Sequence, residues 1–256
     1  MNTHSLLVKL AKQFPKRIAI KNHDTVGLMT GRLPKEVHKI LLCLDFDEQV
    51  LPFAEEYKPD LILTHHPFIF GTKAKVFSFD EKKKEVCDKI DALGIPVYSM
   101  HTNFDEGKGG MNDALLAALN CTNVYAPMKN QMMRIGDLPE AMTAEEFAKL
   151  AKNAFNVDYS LLVKSNDNLI KKVAIIGGGG SRSWRIAQDE GADIYISGDA
   201  PHYVRRDVIS YHYNYLDMPH EIEKIFMPTM KKILLGFDDT LEIKILDHEK
   251  LPKVIL

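Results

Sequence analysis

The chain has 256 residues with 33 Lys+Arg against 35 Asp+Glu, and its net charge of −2 carries no basic excess of the kind that binds nucleic acid. It is long enough for two modest α/β domains or one large one, and no stretch approaches a membrane span. The three cysteines, Cys43, Cys87 and Cys121, are odd in number and lack C-x-x-C spacing, which argues against a secreted disulfide framework and for a reducing cytoplasm.

In chain order, "MNTHSLLVKLAKQFP" reads as a short amphipathic helix ended by Pro15, without the apolar stretch or cleavage site of a secretory leader. Next come a buried strand "VHKILLCLDF", a helix "DEQVLPFAEEYKP" and a strand "DLILTHH". The Lys-rich "DEKKKE" opens a solvated helix that closes at Gly94, followed by the strand "IPVYSMH" and a helix "MNDALLAALN". This βαβαβα rhythm implies a mostly parallel sheet. The stretch "NVYAPMKNQMMRIGDLPEAM" breaks it, and a second series begins with the helix "TAEEFAKLAKNAF" and the strands "YSLLVKS" and "KKVAIIG". The helix "SRSWRIAQDEG", the strand "ADIYISGD", a helix near "HYVRRDVISYH" and a short strand "YNYLDM" follow. A helix "HEIEKIFMPTMKKIL" and a terminal strand "TLEIKIL" complete the chain. The expected organisation is two α/β domains, residues 1–126 and 127–256, with the C-terminal part packing back on the first.

Ligands of open α/β sheets collect at the carboxyl ends of the strands, and three strands here end in candidate metal ligands. One ends at His65 and His66. A second runs into His101, Asn103 and Asp105. A third passes Asp217 and opens a helix carrying His220 and Glu223. Imidazole with carboxylate suits Zn²⁺, Fe²⁺ or Mn²⁺. Alternation along a strand predicts that His65 and His66 diverge, so that each serves a different ion unless the strand kinks at Pro67. Spacing of three places His220 and Glu223 on neighbouring helix positions, with Glu221 facing elsewhere, and a carboxylate can bridge two ions about 3.5–4 Å apart. Taken singly, these residues also read as polar groups at strand ends and helix starts.

The run Gly177–Gly180 lacks the G-K-[ST] of a P-loop and reads equally as an anion cradle or a tight strand-to-helix turn. Asp199 and His202 stand at a further strand end as weaker candidates. The cluster "YHYNY" reads as packing.

Five motifs in order, "HDTVGLMTG", "THHP", "HTNFDEGKGGMND", "VAIIGGGGS" and "DMPHEIE", resemble the signatures of the Nif-three-like family, catalogued as GTP cyclohydrolase 1 type 2 homologues. The resemblance spans nearly the whole chain. It implies two interlinked α/β domains with mostly parallel central sheets, a homohexamer, and two divalent ions per subunit held by His65, His66, Asp105, His220 and Glu223. It places His101 beside the ions, as a ligand or as an orienting group. Two departures stand out. His23 replaces the family's Trp, and only two residues separate His220 from Glu223 where the family has three. The function implied is a metal-dependent hydrolase of a nucleotide or other small molecule, with His101 or His202 moving the proton. The alternative is a non-catalytic metal-binding, metal-delivery or regulatory oligomer. Neither a nucleic acid nor a membrane is an expected partner.

Overall fold

The computed structural model describes residues 1–255. Its strands are β1 (Gly27–Thr30), β2 (Lys39–Cys43), β3 (Leu61–Thr64), β4 (Val97–Ser99), β5 (Thr122–Tyr125), β6 (Arg134–Met142), β7 (Leu161–Val163), β8 (Ile170–Ile175), β9 (Ile194–Gly198), β10 (Asn214–Met218) and β11 (Glu242–Ile245). They form two sheets in an α/β architecture whose central strands run parallel.

The first unit comprises Met1–Lys108 and Phe226–Glu249, so the C-terminal helix Phe226–Phe237 and β11 belong with the N-terminal half. Its sheet has the order β1-β4-β3-β2-β11, parallel throughout except for β1 against β4. Residues of β2 and β3 are almost all buried, as a sheet covered on both faces requires. Leu41, Ile62, Val97, Val86 and Ile90 share one core cluster. The Lys-rich run does open a helix, Glu81–Ala92, whose first turn is capped by Asp80 accepting from the Lys83 amide.

The second unit is built on Gly109–Ile225 and the tail that begins at Lys250. The division falls at Gly109, ahead of the boundary expected near residue 126. The physical reason is that the helix Met111–Ala118 packs on β6 and β8, while β5 pairs with β6. The sheet order is β5-β6-β8-β9-β10-β7, with a parallel centre (β8, β9, β10) and antiparallel flanks. The stretch that broke the sequence rhythm is this antiparallel flank. Pro139 cannot donate to a ladder, and the β6–β8 register shifts between Asp137 and Met142. Tyr195, Tyr213, Tyr215 and Trp184 fill the core, so two tyrosines of "YHYNY" are packing residues as expected.

Phe104 is 0% exposed and packs against Phe14 (ring centroids 4.9 Å) and Phe226 (5.1 Å), with the His65 ring 6.3 Å away. It braces the histidine cluster described below. Phe104→Ala should cost roughly 3–5 kcal/mol of stability by urea denaturation; a loss below about 1 kcal/mol would show that this aromatic brace carries little of the fold.

Candidate metal centre

In the first unit, β3 ends at Thr64, and the next two amides, of His65 and His66, both donate to the Leu44 carbonyl, at 3.1 Å each. The chain has therefore left extended geometry before the doublet, and strand alternation does not govern it. The two rings lie 4.9 Å apart, and the ligand atoms of His65, His66 and His101 all fall within 4.8 Å of one another. The rings are therefore not turned to opposite faces as alternation predicts, because the chain bends at the doublet.

His65 is fully buried. Its Nδ1 lies 2.9 Å from the Met100 carbonyl, an acceptor, so the ring proton resides on Nδ1 and Nε2 presents a lone pair. That Nε2 faces Asp105 Oδ1 at 3.4 Å. An imidazole nitrogen and a carboxylate oxygen brought this close in a buried place are the donor types a divalent cation takes. Asp105, 7% exposed, is carried by the short helix Thr102–Glu106. The turn entering that helix is held by Asn103, whose amide oxygen accepts from the His101 backbone while its nitrogen donates to the Phe14 carbonyl.

His66 and His101 are each backed by a carboxylate. His66 Nδ1 is 2.8 Å from Asp45, and His101 Nδ1 is 2.9 Å from Asp24. The Asp24 side chain is 3% exposed. Burial pushes its carboxyl up, but hydrogen bonds from His101 and Thr102 outweigh that and hold it below the usual range.

In the second unit, His220–Ile225 winds as a 3₁₀ helix rather than the α-helix expected. Three residues complete a 3₁₀ turn, so positions three apart are eclipsed. The tighter winding brings His220 and Glu223 to the same side of the turn at a spacing of three. His220 Nε2 lies 3.1 Å from Glu223 Oε2, and Glu223 is 4% exposed. His220 Nδ1 lies 2.6 Å from Asp199. Held first by Glu223 and also by Asp199, and despite partial burial, His220 is pushed up to about 9. A metal ion taking Nε2 displaces that proton.

The glycine run has a different task from the anion cradle considered above. Gly177 donates its amide to Asn112 (2.8 Å), and Gly180 donates to the Gly178 carbonyl, which also accepts from Gly198 and the Ser197 hydroxyl. Gly178 has φ of +61°, and a Cβ there would overlap the Glu223 carboxylate and come within 3.1 Å of His220 Nε2. The anion beside the loop is the chain's own Glu223. His202 is the exposed first residue of the helix His202–Ser210 and makes no hydrogen bond or ion pair among the described residues. Asp24 and Asp45 flank strands adjacent to those that lead into His101 and His66, so the motifs that carry these histidines do not contain them. The readable signal was an Asp at the terminus of each adjacent strand.

The fold and its two imidazole–carboxylate sets define an α/β protein with the donor chemistry of a divalent-metal site. The model of the Duf34/NIF3 (NGG1p interacting factor 3) family matches residues 1–252, and the chain belongs to that family. A GTP cyclohydrolase 1 type 2 homolog of Lactococcus lactis is 32% identical over 242 residues, covering 93% of each chain. Among solved structures, a Bacillus cereus protein related to NIF3 superposes with a TM-score of 0.88 at 22% identity, over 100% of this chain and 99% of that one. Reduced HcgD from Methanocaldococcus jannaschii gives 0.80 at 28% identity, over 96% and 98%.

Replacing Gly178 tests the seat for Glu223. Gly178→Ala adds both strain at positive φ and a Cβ in the space of the carboxylate, so zinc affinity should fall at least tenfold. Gly179→Ala, whose Cβ would meet only Asp199 at 3.8 Å, should bind zinc like wild type by calorimetry. Equal behaviour of the two variants would remove the assignment.

Proposed function

We propose that the protein holds two divalent ions through His65, His66, Asp105, His220 and Glu223 and acts as a metal-dependent hydrolase of a small molecule. The observation that supports the reading is the approach of ring nitrogens to carboxylate oxygens, His65 Nε2 to Asp105 at 3.4 Å and His220 Nε2 to Glu223 at 3.1 Å, the donor types a divalent ion takes. Neutral imidazole and carboxylate suit Zn²⁺, Fe²⁺ or Mn²⁺. Such an ion, when bound, makes a nucleophile from water near neutral pH and stabilises negative charge developing on the substrate.

His101 is the group best supported as proton carrier. Its Nδ1 is engaged by Asp24, which leaves Nε2 to exchange a proton beside His65 and His66. His202 has no such partner and is the weaker claimant. The relatives' name makes hydrolytic opening of a purine nucleotide the first substrate class to assay. We also place the protein in the cytoplasm, on its three free cysteines; among the described residues no helix is long and apolar enough to cross a membrane.

Elemental analysis of protein reconstituted with zinc should find about two ions per chain; saturation at one would overturn the dinuclear reading. Glu223→Gln keeps size but removes charge, so both ions should bind more weakly, whereas Glu221→Gln should be silent. Loss in the Glu221 variant alone would move the bridging role to that residue. Hydrolysis in a screen of nucleotides, amides and phosphoesters should disappear in Asp105→Ala, since activity surviving that change belongs to a contaminant. Light scattering should give a homohexamer, and a stable monomer would remove that part of the proposal.

A further inference from the structure

Three of the four histidines share a supporting arrangement that recurs in both sheets. His66 follows β3, and Asp45 follows the neighbouring parallel strand β2. His101 follows β4, and Asp24 precedes β1, the antiparallel neighbour of β4, so it lies at the same end of the sheet. His220 follows β10, and Asp199 directly follows the neighbouring parallel strand β9. In each pair the carboxylate takes the Nδ1 side of the ring. His65, the fourth, has a backbone carbonyl in that position.

We propose that Asp24, Asp45 and Asp199 are positioning residues that hold the proton of His101, His66 and His220 on Nδ1 and so reserve Nε2 as the nitrogen that takes a metal ion. The reason is chemical. A neutral imidazole has one donor and one acceptor nitrogen, and an anionic acceptor at Nδ1 decides which is which while raising the basicity of the other.

Local geometry shows that the carboxylates are placed for this task. Asp24 Oδ2 accepts from His101 Nδ1, the Thr102 amide and the Thr102 hydroxyl, and its Oδ1 accepts from the Thr25 amide, so the side chain has no freedom to turn away. Asp199 adopts φ of +55°, a left-handed conformation unfavourable for residues other than glycine, and in it contacts His220 at 2.6 Å. Asp45 and Asp199 are half-exposed and their charge is screened, so the largest effect belongs to the buried Asp24.

The proposal deepens the metal-binding reading and rests on it for its purpose, but its direct readout is independent of metal. In chelator-treated protein labelled with nitrogen-15 at histidine, at mildly alkaline pH, long-range proton–nitrogen spectra should show Nδ1–H rings for His66 and His101. Asp24→Leu should shift His101 toward Nε2–H and leave His66 unchanged, and Asp45→Leu should do the converse. The Asn variants retain an acceptor but no charge. They should keep the tautomer while zinc binds about 10- to 100-fold more weakly, with Asp199→Asn showing the same loss for an ion held at His220 Nε2. Nε2–H rings in the wild type, or tautomers indifferent to the Leu substitutions, would overturn the proposal. If Asp24→Leu does not fold, the Asp45 pair of variants and the wild-type spectrum still decide it. A correct tautomer pattern in a protein that takes up no zinc would leave the orientation standing and sink the metal reading instead.

Discussion

An imidazole can aim a lone pair only when the proton on its other nitrogen is held, and a buried lone pair aimed at a carboxylate is stable only with a cation between them. That constraint organises both halves of this protein. His65 is gripped at Nδ1 by the Met100 carbonyl and turned toward Asp105; His220 is gripped by Asp199 and turned toward Glu223. Burial sharpens the requirement, because a carboxylate removed from water must find its compensation locally. Glu223 first, and Asp199 with it, favour the protonated ring, which is why His220 is pushed up to about 9.

Parallel sheets supply the means to build such contacts. Adjacent parallel strands end on the same side, so an Asp at one terminus and a His at the next come within hydrogen-bond distance without a long loop. The hydrophobic runs of β2, β3, β9 and β10 hold these termini in place, since all but one of their residues are buried. Phe104, wedged between Phe14 and Phe226, braces the ring cluster from within the core. Site and scaffold thus share residues, and changes to the core reach the donor atoms directly.

The second unit shows how backbone winding and a glycine together seat a His–Glu pair spaced by three. At a spacing of three, an α-helical turn would leave His220 and Glu223 only approximately aligned. The 3₁₀ turn aligns them, and Gly178 leaves room for the carboxylate that results. The glycine run, which from composition alone resembles a phosphate-binding loop, is occupied by internal hydrogen bonds and by the chain's own anion.

The amino-acid sequence by itself determined the α/β class and the parallel centres of both sheets, because burial on both faces forces continuous apolar runs, and it placed His and acidic residues at the ends of those runs. The motifs of "THHP", "HTNFD" and "PHEIE" were legible for the same reason, and so was the family. What only the tertiary structure decided is whatever depends on the path of the chain after a strand stops. The doublet converges because both its amides reach one carbonyl of β2's extension, a contact no alternation rule contains. The helix of His220 tightens to 3₁₀, the hairpin at residues 122–142 joins the second sheet through Pro139's irregular strand, and Phe226–Glu249 returns to the first unit. Asp24 and Asp45 belong to the same class: they lie 77 and 21 residues from the histidines they orient, and a pairing between neighbouring strands leaves no periodic trace in the sequence.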